Sequence, residues 1–450
     1  MGIILISQMF IAALAATFIY TIVGAIPGAD ETATVAPVTL VLILAGVEPI
    51  VVLSFFIAAI IACKLIDAVP ISVAGIPAGV MSTPLVEHAL ILKAKGLADL
   101  SIRKIAAGAI LGTIVSIPVS LLLASVIAPY AETVKAYGGL VFFVGGVLLA
   151  LMSKHKILSL AAFLPMAILI QGLRHLYWGV GAVSQDKTVF ISFFLGITIG
   201  PAILSLFELL NKEKRLSLMT HDLETITLAS DSHIKGFPNP FKILTKKETF
   251  YGSLASLVGS MAFMLSPVGL TIFLGEFVAA REKDPIKKAS LAVSTMEALA
   301  QGTYISGTLI PLIALGIPLS PMAIGPANPL FNAPPVFTLD NNLHHILSTS
   351  DFVIATLIGA FVACMLTFYI AVKYSKQISI FVFKKIPHEA FIGLFISLVI
   401  LLAYMDGGFI NVAGVTVVGL FAGLLHRMGV NYGVLFMALY SAPWLIGKIL

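Results

Sequence analysis

Apolar segments long enough to cross a bilayer recur along the whole chain. They occupy residues 104–128, 138–152, 157–173 and 189–210 in the first half, and 350–372, 388–405, 408–425 and 432–448 in the second. A hydrocarbon core of about 30 Å, crossed at about 1.5 Å per residue, needs about 20 apolar residues. Runs of this length and apolarity predict membrane-spanning helices.

Composition agrees, with 59% hydrophobic and only 11% charged residues over 450 positions. A soluble domain carries about a quarter charged residues, so an ordinary soluble enzyme is excluded. The net charge of +5 then reflects basic loops that orient a membrane protein, not a nucleic-acid surface. Cys63 and Cys364 both lie in apolar runs, which leaves no disulfide framework and no metal-ligand spacing. The opening MGIILISQMFIAALAATFIY lacks the basic start and cleavage site of a secretory signal and reads as a membrane segment. HExxH, GxSxG and Walker-type phosphate loops do not occur, nor does a TVGYG-like filter; no enzymatic chemistry is expected.

Ahead of the four plain spans in each half stands an apolar region of about 90 residues broken by Gly and Pro, at 3–92 and 250–333. These regions echo each other. AIPG (Ala25–Gly28) precedes AGIPAG (Ala74–Gly79), and LSPVG (Leu265–Gly269) precedes LGIPLS (Leu315–Ser320). Pro27 to Pro77 is 50 residues and Pro267 to Pro318 is 51. The expected organisation is therefore a membrane repeat at 1–210, a linker at 211–249 and a second repeat at 250–450. The linker holds seven Lys or Arg and reads as cytoplasmic by the positive-inside rule.

Charge placement sets the relative orientation of the copies. Lys93, Lys95, Arg103 and Lys104 follow the second motif of copy one, whereas the matching stretch 334–345 has no Lys or Arg. Copy two carries Arg281, Lys283, Lys287 and Lys288 between its motifs, and copy one has no Lys or Arg before Lys64. Basic loops in one copy thus match neutral loops in the other, as two oppositely inserted repeats would show. The fold class expected is an all-α polytopic membrane protein with two inverted-topology repeats and broken or re-entrant helices.

Irregular backbone at membrane depth survives only where protein or a water-filled cavity surrounds it, so the Gly-Pro breaks mark a substrate site. Pro removes a donor and stops a helix, while Gly permits the turn. A half-helix N-terminus near Pro77 or Pro318 would favour an anion, with hydroxyls adding donors and freed carbonyls holding a cation. One wall then comprises Pro27, Gly28, Gly75, Ile76, Pro77, Ala78, Gly79, Ser82 and Thr83. The other comprises Thr303, Gly316, Ile317, Pro318, Ser320 and Asn328. Among ionisable residues within apolar stretches, Asp30, Glu31 and Glu297 are candidates for coupling to a cation or proton. Lys64 and Asp67, three apart on a helix face, read as an internal pair. His344 and His345 fall in an outer loop without metal partners nearby in sequence.

Three blocks carry a resemblance: VGAIPGADETATVAPVTL (Val23–Leu40), DAVPISVAGIPAGVMSTPLVEHALILKAKG (Asp67–Gly96) and EALAQGTYISGTLIPLIALGIPLSPMAIG (Glu297–Gly325). They are similar to the large permease subunit of the tripartite tricarboxylate transporters. The resemblance implies a carrier of small organic anions, di- or tricarboxylates such as citrate, with Na⁺ or H⁺ as coupling ion and no cofactor. It also implies two partners, a small membrane subunit and an extracytoplasmic solute-binding protein, and residence in the cytoplasmic membrane. The chain departs from the family's IPGxGP-like first motif by Ile26-Pro27-Gly28-Ala29-Asp30-Glu31, which places acids where Gly and Pro would stand. Rival readings are a channel for a small solute or ion and a non-transporting membrane scaffold.

Overall fold

The computed structural model describes residues 2–27, 29, 31–75, 78–153, 155–183, 193–197, 199–200, 203–204, 237–264, 267–385, 388–430 and 432–449. Among them the chain is all-α, and seven helices are long and apolar enough to cross a membrane: Ile3–Val23, Pro49–Ala74, Ala98–Thr133, Lys156–Gly179, Pro285–Leu315, Thr349–Lys373 and Gly407–Arg427. Most of the expected span at 189–210, and the linker as far as residue 236, lie outside the described residues.

Two compact units divide the chain. The first holds Met1–Pro129, Glu224–Phe331 and Val336–Ile386; the second holds Tyr130–Leu223, Asn332–Pro335 and Pro387–Leu450.

In the first unit the principal helices are α1 (Ile3–Val23), α2 (Glu31–Leu44), α3 (Pro49–Ile66), α4 (Ala68–Ala74), α5 (Val86–Ala94), α6 (Ala98–Ile127), α7 (Lys246–Met261), α8 (Pro267–Ala279), α9 (Pro285–Ile310) and α10 (Thr349–Lys373). Local chemistry sets their starts. Asp284 accepts the backbone N–H of Lys287 at the head of α9, with Pro285 at the first helical position, where its missing donor costs nothing. Reciprocal caps of Thr245 with Glu248 and Ser348 with Asp351 start α7 and α10.

Burial separates these helices into two kinds. In the Pro49–Ala74 and Pro285–Leu315 spans, 94% of the most apolar window is buried, against 28% for Ile3–Val23 and 44% for Thr349–Lys373. The two spans that lead into the Gly-Ile-Pro motifs are therefore enclosed by protein. Small residues permit the enclosure. A Cβ at Gly108 or Gly112 of α6 would stand 2.5 Å from the backbone oxygens of Ser294 or Ala298 on α9, and Ser256 of α7 donates to the Gly112 carbonyl at 3.2 Å. A Cβ at Gly24 or Gly359 would likewise stand 2.5 Å from the Cys63 carbonyl or 2.6 Å from that of Ser54, both on α3. Between membrane helices there is no water to exclude, so close backbone approach of this kind supplies the attraction through dispersion.

The second unit contains Gly138–Met152, Lys156–Gly179, His388–Arg427 and Tyr432–Ile449. The last of these packs against the first two. His388–Arg427 is interrupted by non-helical backbone at Gly407 and Gly408, which divides it where the sequence separates 388–405 from 408–425.

A candidate site of broken helices and buried charge

Both enclosed spans of the first unit end in the same way. α3 and α4 run almost continuously to Gly75, whose φ of 71° is left-handed and whose N–H bonds the Ile71 carbonyl at 3.0 Å. Pro70, inside α4, lacks the donor that would pair with the Ile66 carbonyl. α9 passes at Pro311 into one π-turn, Pro311–Leu315, and stops at Gly316, with φ 66° and its N–H bonded to the Pro311 carbonyl at 2.9 Å. A left-handed residue costs an L side chain roughly 1–2 kcal/mol, so glycine is required at both ends. π-turns of this kind concentrate at functional sites.

The elements beyond the two breaks differ in length. Residues 80–85 form a 3₁₀ turn leading into α5, and Pro321–Ile324 is a four-residue helix capped by Ser320, which accepts the Ala323 N–H at 3.0 Å. The expected half-helix starting near Pro318 is thus reduced to single turns, because further prolines at 321, 326 and 329 interrupt helix continuation, whereas after the first break residues 80–85 run directly into the nine-residue α5. What the breaks present most strongly is the carbonyl end of the long helices, which favours positive charge.

A buried cation reaches the turn after the first break. Lys64 of α3 is completely buried, donates to Ser82 Oγ in the turn after the first break, and lies 3.7 Å from Glu297 Oε2 of α9. Asp67 Oδ1 accepts the Ala78 N–H at 2.6 Å, and the Glu31 carboxylate fills the space where a Cβ on Gly79 would stand. Glu31, Asp67 and Glu297 are all within electrostatic reach of Lys64. Their exposures are 4%, 1% and 1%. Neither Glu297 oxygen accepts a hydrogen bond.

Several residues read from the sequence as one wall are therefore brought together: Gly75, Ala78, Gly79 and Ser82 in one loop, with Glu31 against it and Glu297 facing it through Lys64. Pro27 lies in the turn after α1; Gly28, Asp30, Ile76 and Pro77 lie outside the described residues. Thr83 is exposed. On the second side Ser320 binds the Gly307 carbonyl, Thr303 donates to the Leu299 carbonyl of its own helix, and Asn328 donates to the Ile324 carbonyl. Ile317 is buried beside Gly316, and Pro318 comes next without helical structure. A Cβ at Gly325 would meet Thr32 Oγ1 at 3.2 Å, which brings the 325–330 loop to the start of α2.

Three features were not read from the sequence. Lys64 forms its ion pair with Glu297, from the other half of the chain, while the Asp67 carboxylate turns to the Ala78 amide. Asn342 donates to the Gly316 carbonyl at 2.9 Å and His344 Nδ1 stands 3.0 Å from the Ile313 carbonyl, so the 342–345 segment caps the second break. In the second unit, Arg174 is buried within a membrane-spanning helix, with its guanidinium 6.0 Å from the Phe193 ring and Nη1 3.3 Å from Gln171.

These features define an all-α, polytopic membrane protein that gathers charge and interrupted backbone in its interior, away from lipid. The chain belongs to the tripartite tricarboxylate transporter TctA family, whose sequence profile matches residues 10–436; it is a membrane transporter component. No match was found among curated proteins or among solved structures.

Proposed function

We propose that the chain is the translocating subunit of a secondary carrier that moves small organic anions, di- or tricarboxylates, across the cytoplasmic membrane by ion-coupled alternating access. The observation that carries this reading is the matched pair of enclosed helices, each ending at a left-handed glycine, with a cluster of buried charge at the first of the two breaks. Paired discontinuous helices at corresponding positions of two halves are the usual setting of a carrier's binding site. Family membership supports a small membrane subunit and an extracytoplasmic solute-binding protein as partners.

The proposed organisation is two inverted repeats, 1–210 and 250–450, joined by a cytoplasmic linker at 211–249. Side-chain contacts in the first unit support it. Lys104 binds the Ile243 carbonyl at 2.7 Å and Glu248 at 2.5 Å, while Lys247 binds Glu282 at 2.6 Å. These contacts draw the basic stretches around residues 93–104, 242–247 and 281–288 to one side, as the positive-inside rule requires of a cytoplasmic face.

In this reading Pro27, Gly28, Gly75–Gly79, Ser82 and Thr83 face Thr303, Gly316–Ser320 and Asn328 across the substrate path, with Asp30, Glu31 and Glu297 serving the coupling ion. The hydroxyls of Ser82, Thr303 and Ser320 and the Ala78 amide are engaged internally, so substrate entry exchanges those bonds for bonds to carboxylate. The test is uptake of labelled citrate and smaller dicarboxylates by proteoliposomes, with Ser82→Ala and Ser320→Ala compared against wild type. Weakened uptake at unchanged thermal stability supports the assignment; unchanged uptake removes these hydroxyls from the path.

A further inference from the structure

Among the described residues, charge in the interior of the first unit does not balance. Glu31, Asp67 and Glu297 surround one ammonium, that of Lys64, and all four side chains are at most 4% exposed. Fully ionised, the group carries a net charge of −2 inside apolar walls. Uncompensated charge there costs several kcal/mol per ion, and a buried carboxylate without partners takes up a proton instead. Of the three, Asp67 is held by the Ala78 amide and Glu31 lies against Gly79. Glu297 has both oxygens buried without a hydrogen-bond donor, and its nearest cation is 3.7 Å away.

We propose that Glu297 is a proton-binding site paired to Lys64, and that H⁺ is the coupling ion; this rests on the carrier reading above. A bare cation such as Na⁺ would need several converging oxygens, but the Lys64 ammonium already occupies the position between Ser82 and Glu297 where it would sit. A proton needs no such space. It bonds to one Glu297 oxygen, the Lys64–Glu297 ion pair is lost, and Lys64 keeps Ser82 and the carboxylates of Asp67 and Glu31. Release of that proton on the opposite side restores the pair. Because Ser82 and Gly79 belong to the turn after the first break, the switch acts where the substrate path is proposed.

Among the described residues, the other charged groups packed on α9 are paired with one another, Lys104 with Glu248, which also accepts from Ser290. Around α9 the neighbouring elements contribute Gly108, Gly112 and Thr113 of α6, Gly252, Ser256 and Gly259 of α7, and Gly275 and Glu276 of α8. Glu276 is held by His88 of α5 at 2.6 Å. Cys63, which precedes Lys64 on α3, is a further titratable neighbour among the described residues.

Infrared titration of the purified full chain in lipid tests this without substrate. The expected result is a carboxylic-acid C=O band that appears as pH falls, is insensitive to Na⁺, is lost in Glu297→Gln and is shifted in Glu297→Asp. Absence of such a band, its survival in Glu297→Gln, or its suppression by Na⁺ overturns the proposal. Citrate uptake in proteoliposomes separates the two claims. Accumulation driven by a pH gradient in Na⁺-free buffer, lost in Glu297→Gln, supports both. Accumulation that requires Na⁺ and ignores pH leaves the carrier and overturns the proton. A Glu297 band with no citrate or dicarboxylate uptake, when the small membrane subunit and solute-binding protein are also present, leaves the proton site and overturns the carrier.

Discussion

Gly316 and Gly75 are where single atoms carry the most structural consequence. A Cβ at Gly316 meets both a left-handed backbone and the His344 ring at 2.8 Å. Gly316→Ala is expected to destabilise the protein by about 1–2 kcal/mol from the backbone alone, read as a lower melting temperature in detergent. Gly172 has nothing within 4 Å of a Cβ and ordinary helical backbone, so Gly172→Ala should leave the melting temperature unchanged or slightly raised. Loss of uptake in a Gly316 variant would therefore be a consequence of lost fold before it is one of lost function. The glycine was legible in the sequence because Gly-Ile-Pro cannot continue a helix. Its cap by Asn342 and His344 was not, because a polar loop residue offers no periodicity to say which backbone it will reach.

Among elements, the junction of α6 with α7 and α9 carries the most specific chemistry. Glu248 binds Lys104, Ser290 at 2.6 Å and the Thr245 N–H at 2.7 Å. Burial alone would raise its carboxyl pKa, but the bonds from Lys104, Ser290 and Thr245 outweigh that and hold it below the ordinary glutamate value. A depressed folded-state pKa contributes stability that is present above the unfolded value, about 4.3, and is lost as pH falls through the folded value. Melting temperature tracked through that acid range should fall less steeply in Glu248→Gln than in wild type. Lys104→Met, which leaves the carboxylate buried without its cation, should cost about 3 kcal/mol at neutral pH. Gly108→Leu should separate α6 from α9 and abolish a monodisperse folded peak on gel filtration; an unaffected peak would mean that the close approach is dispensable.

The element scale also shows where sequence pattern misleads. Lys64 and Asp67 satisfy the spacing of a helix-face pair, yet Asp67 stands where α3 gives way to α4 and its carboxylate serves the loop at Ala78. Lys64 instead reaches Glu297, a contact between distant parts of the chain that no local spacing announces. The plain spans at 104–128, 157–173, 350–372 and 408–425 were legible from length and apolarity alone, whereas those at 138–152, 388–405 and 432–448 fall on shorter apolar helices. The replacement of the expected half-helix at the second break by single turns depends on prolines at 321, 326 and 329 acting together.

At the scale of the whole molecule, enclosure is the organising fact. Helices such as Ile3–Val23 and Thr349–Lys373 face outward, while the two spans that end in breaks are almost wholly surrounded. A membrane protein needs enclosure of this kind only if interrupted backbone and charge must operate at depth. If gradient-driven transport is that operation, the most direct measurement is citrate accumulation by proteoliposomes holding this chain together with the small membrane subunit and solute-binding protein of its system, with Na⁺ and pH gradients imposed separately. The expected result is uptake above equilibrium under one gradient, collapsing when that gradient is dissipated. Simple equilibration of citrate under both conditions, or its exclusion under both, would contradict an ion-coupled carrier.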